Sequence, residues 1–204
     1  NEDIHRRIFA AMLGNLDDSV GSILRAVREN QLEEKTIVVF MSDNGGPTRE
    51  LTSSNLPFRG EKGQMYEGGL RIPMAMQWKD TLPAGKDFNG LTTSVDLFAT
   101  VGGLFDKDVP KMDGIDLMPF LLGKNTASPH DTFYWRQGKR TTVRNGDWKL
   151  VNMKGSINSP IWELYNIASD PTESKNLSSK NPHQVERLIQ VWQSYQQEMR
   201  APLF

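Results

Sequence analysis

A short apolar run that precedes a long glycine-rich stretch constrains the fold of this chain most strongly. Residues 36–41 (TIVVFM) are all β-branched or apolar, and the absence of polar alternation is typical of a strand that is covered on both faces. A helical pattern over residues 3–30 comes before it. The apolar stripe of that helix consists of Ile8, Met12, Leu16, Val20, Ile23, Leu24 and Val27. A helix followed by a buried strand favours an α/β sheet.

The stretch from residue 43 to residue 70 has no hydrophobic periodicity and holds six of the 17 glycines. A loop of this length inside a compact domain is uncommon and is usually functional. Residues 71–78 then resemble a second strand, and residues 94–103 a short helix that Gly102 and Gly103 help to end. The glycine-rich stretch is therefore the first place to look for a site.

The second half of the chain has a different pattern. Short strand candidates occur at residues 133–135, 140–144, 148–151 and 162–165, and Asn145-Gly146-Asp147 indicates a hairpin turn. A helix is predicted over residues 182–199. The polar segment 123–131 separates this part from the first, so we expect one domain over residues 1–125 and a small α+β subdomain over residues 126–204, built from an antiparallel sheet with one helix.

Composition excludes several classes of function. Lys and Arg total 24 and Asp and Glu total 25, so a net charge of −1 indicates no nucleic-acid partner. Cysteine is absent, which excludes a thiol nucleophile, a disulfide scaffold and a zinc ribbon within these residues. The apolar runs are far shorter than the roughly 18 residues of a membrane span, so we expect none. The chain begins with a helical pattern and no signal peptide, as if in mid-protein.

Asp43 and Asn44 directly follow the predicted buried strand. Ligands of open α/β sheets bind beyond the carboxyl ends of strands, and a carboxylate beside a carboxamide supplies hard oxygen ligands for Ca²⁺ or Mg²⁺. An ordinary Asn-Gly turn that ends the strand is an equally good interpretation. Lys62 lies between glycines and is either a cation for a bound anion or a solvated loop lysine. His5, His130 and His183 are scattered, and we interpret them as surface residues.

An ordered set of motifs resembles the type I, formylglycine-dependent sulfatases of the alkaline-phosphatase superfamily. The central motifs are SDNGG at residues 42–46, PFRGEKG at 57–63 and YEGGLRIP at 66–73. Others upstream and downstream are LDD at 16–18, VDL at 95–97, DGIDL at 113–117, DWKL at 147–150 and ELYN at 163–166. The resemblance covers nearly the whole chain and corresponds to the C-terminal portion of the family. It implies an α/β fold that forms part of an alkaline-phosphatase-like sheet sandwiched by helices, followed by the small C-terminal sheet.

The resemblance also implies roles for particular residues. Asp43 and Asn44 match the pair that ligates the active-site Ca²⁺, for which Mg²⁺ is a possible substitute, and Lys62 matches the lysine that contacts the sulfate. Residues 67–69 and Arg71 match positions that we interpret as structural. These roles agree with the chemistry, because cleavage of a sulfate ester builds negative charge that a divalent ion and an ammonium stabilise.

The nucleophile of the family is missing. In the family, a formylglycine is made from Cys or Ser in a Cys/Ser-x-Pro-x-Arg motif that lies well upstream of these segments. NLPFR at residues 55–59 resembles that motif, but asparagine cannot become formylglycine and the position is wrong. We therefore expect no catalytic residue in this chain and an inactive fragment on its own, with the formylglycine supplied by an N-terminal part of the same enzyme. The parent is expected to hydrolyse sulfate esters of a sulfated glycan or an aryl sulfate, in the periplasm or outside a bacterial cell.

Two other functions fit parts of the pattern. A phosphoryl or phosphonyl hydrolase of the same superfamily is the first, although Asn44 disfavours it because a carboxamide oxygen suits a hard cation rather than a transition metal. A non-catalytic carbohydrate-binding module is the second. Its sugar-stacking candidates are Tyr134, Trp135, Trp148 and Trp162, for which core packing is the competing interpretation.

Overall fold

The computed structural model of the chain describes residues 2–51, 53–105 and 113–200. The helices are α1 (Glu2–Glu29), α2 (Thr48–Leu51), α3 (Glu67–Leu70), α4 (Asp96–Gly103), α5 (Met118–Leu121) and α6 (Pro182–Glu198), with a 3₁₀ turn at Glu33–Lys35. The strands are β1 (Val38–Met41), β2 (Met74–Gln77), β3 (Thr132–Gln137), β4 (Arg140–Asn145), β5 (Trp148–Asn152) and β6 (Trp162–Asn166). The mixed α/β fold class is confirmed.

Two compact units can be distinguished in the described chain. The first consists of described residues within 1–30, 39–75 and 132–204, and the second of those within 31–38 and 76–131. The predicted division into residues 1–125 and 126–204 stays a prediction. The predicted small antiparallel sheet with one helix is present in the first unit, as β3 to β6 with α6.

The C-terminal sheet is a meander of four antiparallel strands in the order β3-β4-β5-β6. Val143 is paired with Leu150, and Leu150 with Leu164. These three side chains form a buried cluster with Leu188 and Trp192 of α6, because the helix presents residues four apart on one face. One face of the sheet therefore packs against α6.

The opposite face of the same sheet packs against the glycine-rich stretch. Val151 alternates with Leu150 along β5, as side chains do along any strand, and it joins a second cluster with Met65, Tyr66 and Tyr165. Lys149 is two residues before Val151 and lies on the same face. The sheet thus supports the segment that immediately precedes α3.

Apolar side chains are exposed in the first part of the chain. The strand expected at residues 36–41 is present as β1, but Phe40 is 44% exposed, since β2 is its only neighbour in the described sheets. α1 forms as predicted, and part of its stripe is exposed too, with Met12 at 64% and Ile23 at 60%. No helix in the described ranges combines the length and apolar character needed to cross a membrane.

Candidate functional site

Asp43 and Asn44 lie in a tight loop after β1. Ser42 N–H donates to Pro73 O at 3.2 Å, and Ser42 Oγ donates to Asn44 O at 2.7 Å. The Asn44 side chain donates from Nδ2 to Gly45 O at 3.0 Å, which leaves Oδ1 as its acceptor. The Asp43 carboxylate is exposed and has no hydrogen-bond or ion-pair partner among the described residues. Two oxygen donors are thus available on consecutive residues.

These donors fit a hard divalent cation, because carboxylate and amide oxygens are the ligands that Ca²⁺ and Mg²⁺ prefer. The pair is incomplete as a metal site in the described chain, where no group of three or more His, Cys, Asp or Glu side chains is placed to hold a metal. Ca²⁺ takes six to eight oxygen ligands. Further ligands would therefore be backbone or amide carbonyl oxygens, water, or side chains outside these ranges.

The loop that contains Lys62 is hydrogen-bonded to the Asp43–Asn44 loop. Lys62 N–H donates to Gly46 O at 3.4 Å. Asn55 links the two loops as well, because it accepts from Gly46 N at 2.9 Å and donates to Gly46 O at 2.8 Å and to Gly60 O at 3.0 Å. Gly60 has a φ of 93°, which favours glycine. Lys62 itself is exposed, and its ammonium has no partner among the described residues.

Glu61, which was not identified from the sequence, anchors the backbone beside Lys62. Its carboxylate accepts from Thr48 Oγ1 at 2.8 Å and from Arg49 N at 3.2 Å, and it pairs with Arg49 Nε at 3.0 Å. The Thr48 hydrogen bond, with Arg49, lowers the pKa of the Glu61 carboxyl against a smaller opposing effect of burial. Glu61 is therefore held as an anion that pairs with Thr48 and Arg49 rather than with Lys62. The Lys62 ammonium can bind other groups.

α3 contacts the backbone directly after Asp43 and Asn44. Gly45 N–H donates to Gly69 O at 3.1 Å, and a Cβ on Gly45 would overlap Gly68 O. The interpretation of residues 67–69 as structural agrees with this position. Glycine is required at Gly45 because the two backbones touch.

Lys149, Glu67 and Glu173 form what we call the buried ion triad. Lys149 Nζ lies 2.7 Å from Glu67 Oε1 and 2.9 Å from Glu173 Oε1, and Glu173 Oε2 accepts from Glu67 N at 2.6 Å. Lys149 and Glu173 are fully buried. Burial raises the pKa of the Glu173 carboxyl, and this outweighs the opposing effect of Lys149.

Arg59 ends the NLPFR segment and has a structural role. Its guanidinium lies 3.9 Å from the ring centre of Tyr66 and donates to Tyr165 Oη at 2.8 Å and Glu173 O at 3.0 Å. Both tyrosines donate to Glu163 Oε2. Burial opposes ionisation of Glu163, but the tyrosine hydrogen bonds and Arg59 outweigh it and lower the pKa of that carboxyl.

The interpretation of His130 as a surface residue is wrong. In the second unit, His130 Nε2 lies 2.7 Å from Asp96 Oδ1, with a side chain that is 12% exposed. Asp96 is fully buried and also accepts from Thr93 N and Ile115 N. The sequence pattern around Asp96 indicates only a short helix, and the 33 residues between Asp96 and His130 carry no local signal for their contact.

The aromatic candidates for sugar stacking belong to the core. Tyr134, Trp148 and Trp162 pack against the cluster under α6, and Trp135 packs against the cluster under β5. Tyr134 also stacks on Tyr195 at 5.5 Å. Core packing is therefore the better interpretation of these side chains.

Comparisons with known proteins agree on one family. A family model described as "Sulfatase" matches residues 5–107, and one described as "N-sulphoglucosamine sulphohydrolase, C-terminal" matches residues 60–201. Human steryl-sulfatase is 33% identical over 169 residues, which cover 78% of this chain and 28% of that protein. The uncharacterized sulfatase YdeN of Escherichia coli (strain K12) is 32% identical, with 96% and 41% covered.

Solved structures give the same picture. The crystal structure of Ps i-CgsB is similar with a TM-score of 0.85 at 27% identity, covering 98% of this chain and 45% of that one. The PsFucS1 sulfatase from Pseudoalteromonas sp. has a TM-score of 0.73 at 27% identity, with 89% and 40% covered. The chain spans less than half the length of each of these relatives.

Proposed function

Because the chain belongs to the sulfatase family, we propose that it is the C-terminal part of an enzyme that hydrolyses sulfate esters. The observation that carries this proposal is the joining of two loops at Gly46 O, which lies two residues after Asn44 and accepts from Lys62 N at 3.4 Å. Two side-chain oxygens suited to a divalent metal and an ammonium without a partner among the described residues therefore lie on hydrogen-bonded neighbouring loops.

We assign each of these residues a part in the reaction. Asp43 and Asn44 hold the divalent ion, which we propose to be Ca²⁺ with Mg²⁺ as a possible substitute, and Lys62 binds a sulfate oxygen. Sulfatases generally use a formylglycine and a divalent metal ion. When bound, the ion stabilises negative charge on the sulfuryl group. The Lys62 ammonium stabilises the same charge from its own loop and orients the ester.

The nucleophile has to be supplied by another segment. The chain has no cysteine, and Asn55, the first residue of the NLPFR segment, uses both ends of its amide to join the loops. We propose that an N-terminal part of the same enzyme carries the formylglycine and the remaining metal ligands. The isolated 204 residues would then be inactive.

The proposed substrate is a sulfated glycan or an aryl sulfate. A structure of Ps i-CgsB is a complex with k-i-k-neocarrahexaose, and the N-acetylgalactosamine-6-O-sulfatase of Bacteroides thetaiotaomicron is 26% identical over 88% of this chain and 40% of that protein. Absence of cysteine agrees with a bacterial parent, for which we propose a periplasmic or secreted location.

Sulfate release by the full-length protein tests this function. Ion chromatography would follow the anion released from a fluorogenic aryl sulfate, a sulfated oligosaccharide and the matching aryl phosphate. We expect sulfate release to exceed phosphate release. Faster release of phosphate would favour the phosphoryl hydrolase, and glycan binding without release of either anion would favour the carbohydrate-binding module.

A further inference from the structure

The position of the buried ion triad is not explained by stability alone. Lys149 lies on β5 between Trp148 and Leu150, and its ammonium is wholly removed from water. Its partners across the sheet are Arg144 of β4 and Tyr165 of β6, and the Arg144 guanidinium lies 3.7 Å from Glu67 Oε2. Replacing a buried ion group by apolar residues of similar volume is often neutral or stabilising. Stabilisation of the fold therefore does not by itself explain the buried ion triad, and we looked for a role at the proposed site.

The triad holds the first residue of α3 at two points. Glu67 Oε1 accepts a hydrogen bond from Lys149 Nζ at 2.7 Å, while Glu67 N–H donates to Glu173 Oε2 at 2.6 Å. Both the side chain and the backbone of Glu67 are therefore fixed from the C-terminal sheet and the loop after it. Few degrees of freedom remain at the start of α3.

α3 in turn contacts both loops of the proposed site. Gly69 O accepts from Gly45 N, directly after Asn44, and Gly68 N–H donates to Arg59 O at 2.7 Å, three residues before Lys62. These contacts leave no space for a side chain, since a Cβ on Gly68 would meet Arg59 O at 2.6 Å. A displacement of α3 would therefore move both loops.

We infer that the buried ion triad of Lys149, Glu67 and Glu173 is a positioning device for the metal and sulfate site. Lys149 and Glu173 touch neither ligand. They fix α3, and α3 contacts both the Asp43–Asn44 loop and the Lys62 loop, in addition to the direct hydrogen bonds that join the two loops at Gly46. This inference rests on the proposed function, because it concerns the geometry of that site.

Metal affinity of the full-length protein tests the inference. Isothermal titration with Ca²⁺ would compare the parent with Lys149→Met and Glu173→Gln, together with the thermal midpoint of each. Lys154→Met is the matched control, because Lys154 is 71% exposed and pairs with Glu163 at 3.7 Å. Supporting groups around a metal site commonly change affinity by about 10- to 100-fold, so we expect Kd to rise about tenfold in both triad variants and to stay within twofold in the control.

Glu173→Gln keeps the inference testable if Lys149→Met fails to fold, because glutamine retains the size of the side chain and an acceptor for Glu67 N–H. A lowered thermal midpoint with an unchanged Kd in Glu173→Gln would overturn the positioning role and leave the proposed function intact. A parent that binds no divalent ion would overturn the proposed metal site and the positioning role together.

Discussion

At the scale of single residues, Lys62 is the clearest test of the site. Its backbone is anchored at Gly46 and its ammonium is exposed without a protein partner among the described residues. Lys62→Ala in the full-length protein should lower kcat/KM for an aryl sulfate by about 10²- to 10³-fold, the loss expected when one preorganised charge-stabilising donor is removed.

Lys86→Ala is the control for that measurement. Lys86 is also an exposed loop lysine, without a side-chain hydrogen bond or ion pair among the described residues. It should leave kcat/KM unchanged. Equal rates for Lys62→Ala and the parent would remove Lys62 from the site.

Asp170 provides a pH-dependent test of stability. Its carboxylate accepts from Ser174 N at 3.1 Å and from Lys175 N at 2.9 Å. Burial acts to raise the pKa of the Asp170 carboxyl, but the N–H groups of Lys175 and Ser174 outweigh it and hold that pKa below its usual value. The ionised form therefore stabilises the fold above the ordinary Asp pKa, and this contribution is lost as pH falls through the lowered value.

Asp170→Asn should accordingly reduce the free energy of unfolding by about 1 kcal/mol at pH 7. The deficit should shrink as the pH is lowered towards 3, because the parent then loses its charge as well. Urea unfolding at several pH values measures it, with the exposed Asp87→Asn as control. A deficit that is constant with pH would show that the Asp170 charge is not involved.

The candidate metal and sulfate ligands could be identified from the sequence, whereas the buried residues that hold their loops in place could not. Asp43, Asn44 and Lys62 stand in short motifs that resemble a family, and their roles stay predictions. The contact between Lys149 and Glu67 spans 82 residues, and that between Glu67 and Glu173 spans 106. No local pattern encodes such pairs, since they arise only when the sheet packs on α3.

At the scale of elements, the strands and the longer helices were largely predictable, whereas the four-residue helices α2, α3 and α5 were not. β4, β5 and α6 lie within a residue or two of their expected bounds, because turn residues and hydrophobic periodicity act locally. Burial of β1 was not predictable in the same way. It depends on which elements cover the strand, and that is a tertiary property.

The cluster between the C-terminal sheet and α6 should dominate the stability of that part. Leu150 is fully buried there, against Leu164 and Leu188. Leu150→Ala should lower the free energy of unfolding by about 3 kcal/mol through lost burial and a cavity. Ile161→Ala is the control, because Ile161 is 56% exposed and should cost less than about 0.5 kcal/mol. Equal losses in urea unfolding would contradict this core.

At the scale of the whole molecule, exposed apolar side chains indicate surfaces that pack against another part of the protein. Met12 and Ile23 on the apolar stripe of α1, and Phe40 of β1, are each more than 40% exposed. An exposed apolar stripe marks an interaction surface or an aggregation hazard. The 204-residue chain alone should therefore self-associate, as measured by light scattering. A monodisperse, stable monomer would contradict the expectation that an N-terminal part covers these surfaces.

The proposed site is tested most directly by metal removal and replacement in the full-length protein. Aryl-sulfate turnover would be measured after chelation and again after addition of Ca²⁺, for the parent and for Asp43→Ala. If Asp43 and Asn44 hold the ion, chelation abolishes turnover and Ca²⁺ restores it in the parent but not in Asp43→Ala. Turnover that survives chelation, or that returns equally in Asp43→Ala, would contradict the assignment of the metal to this loop.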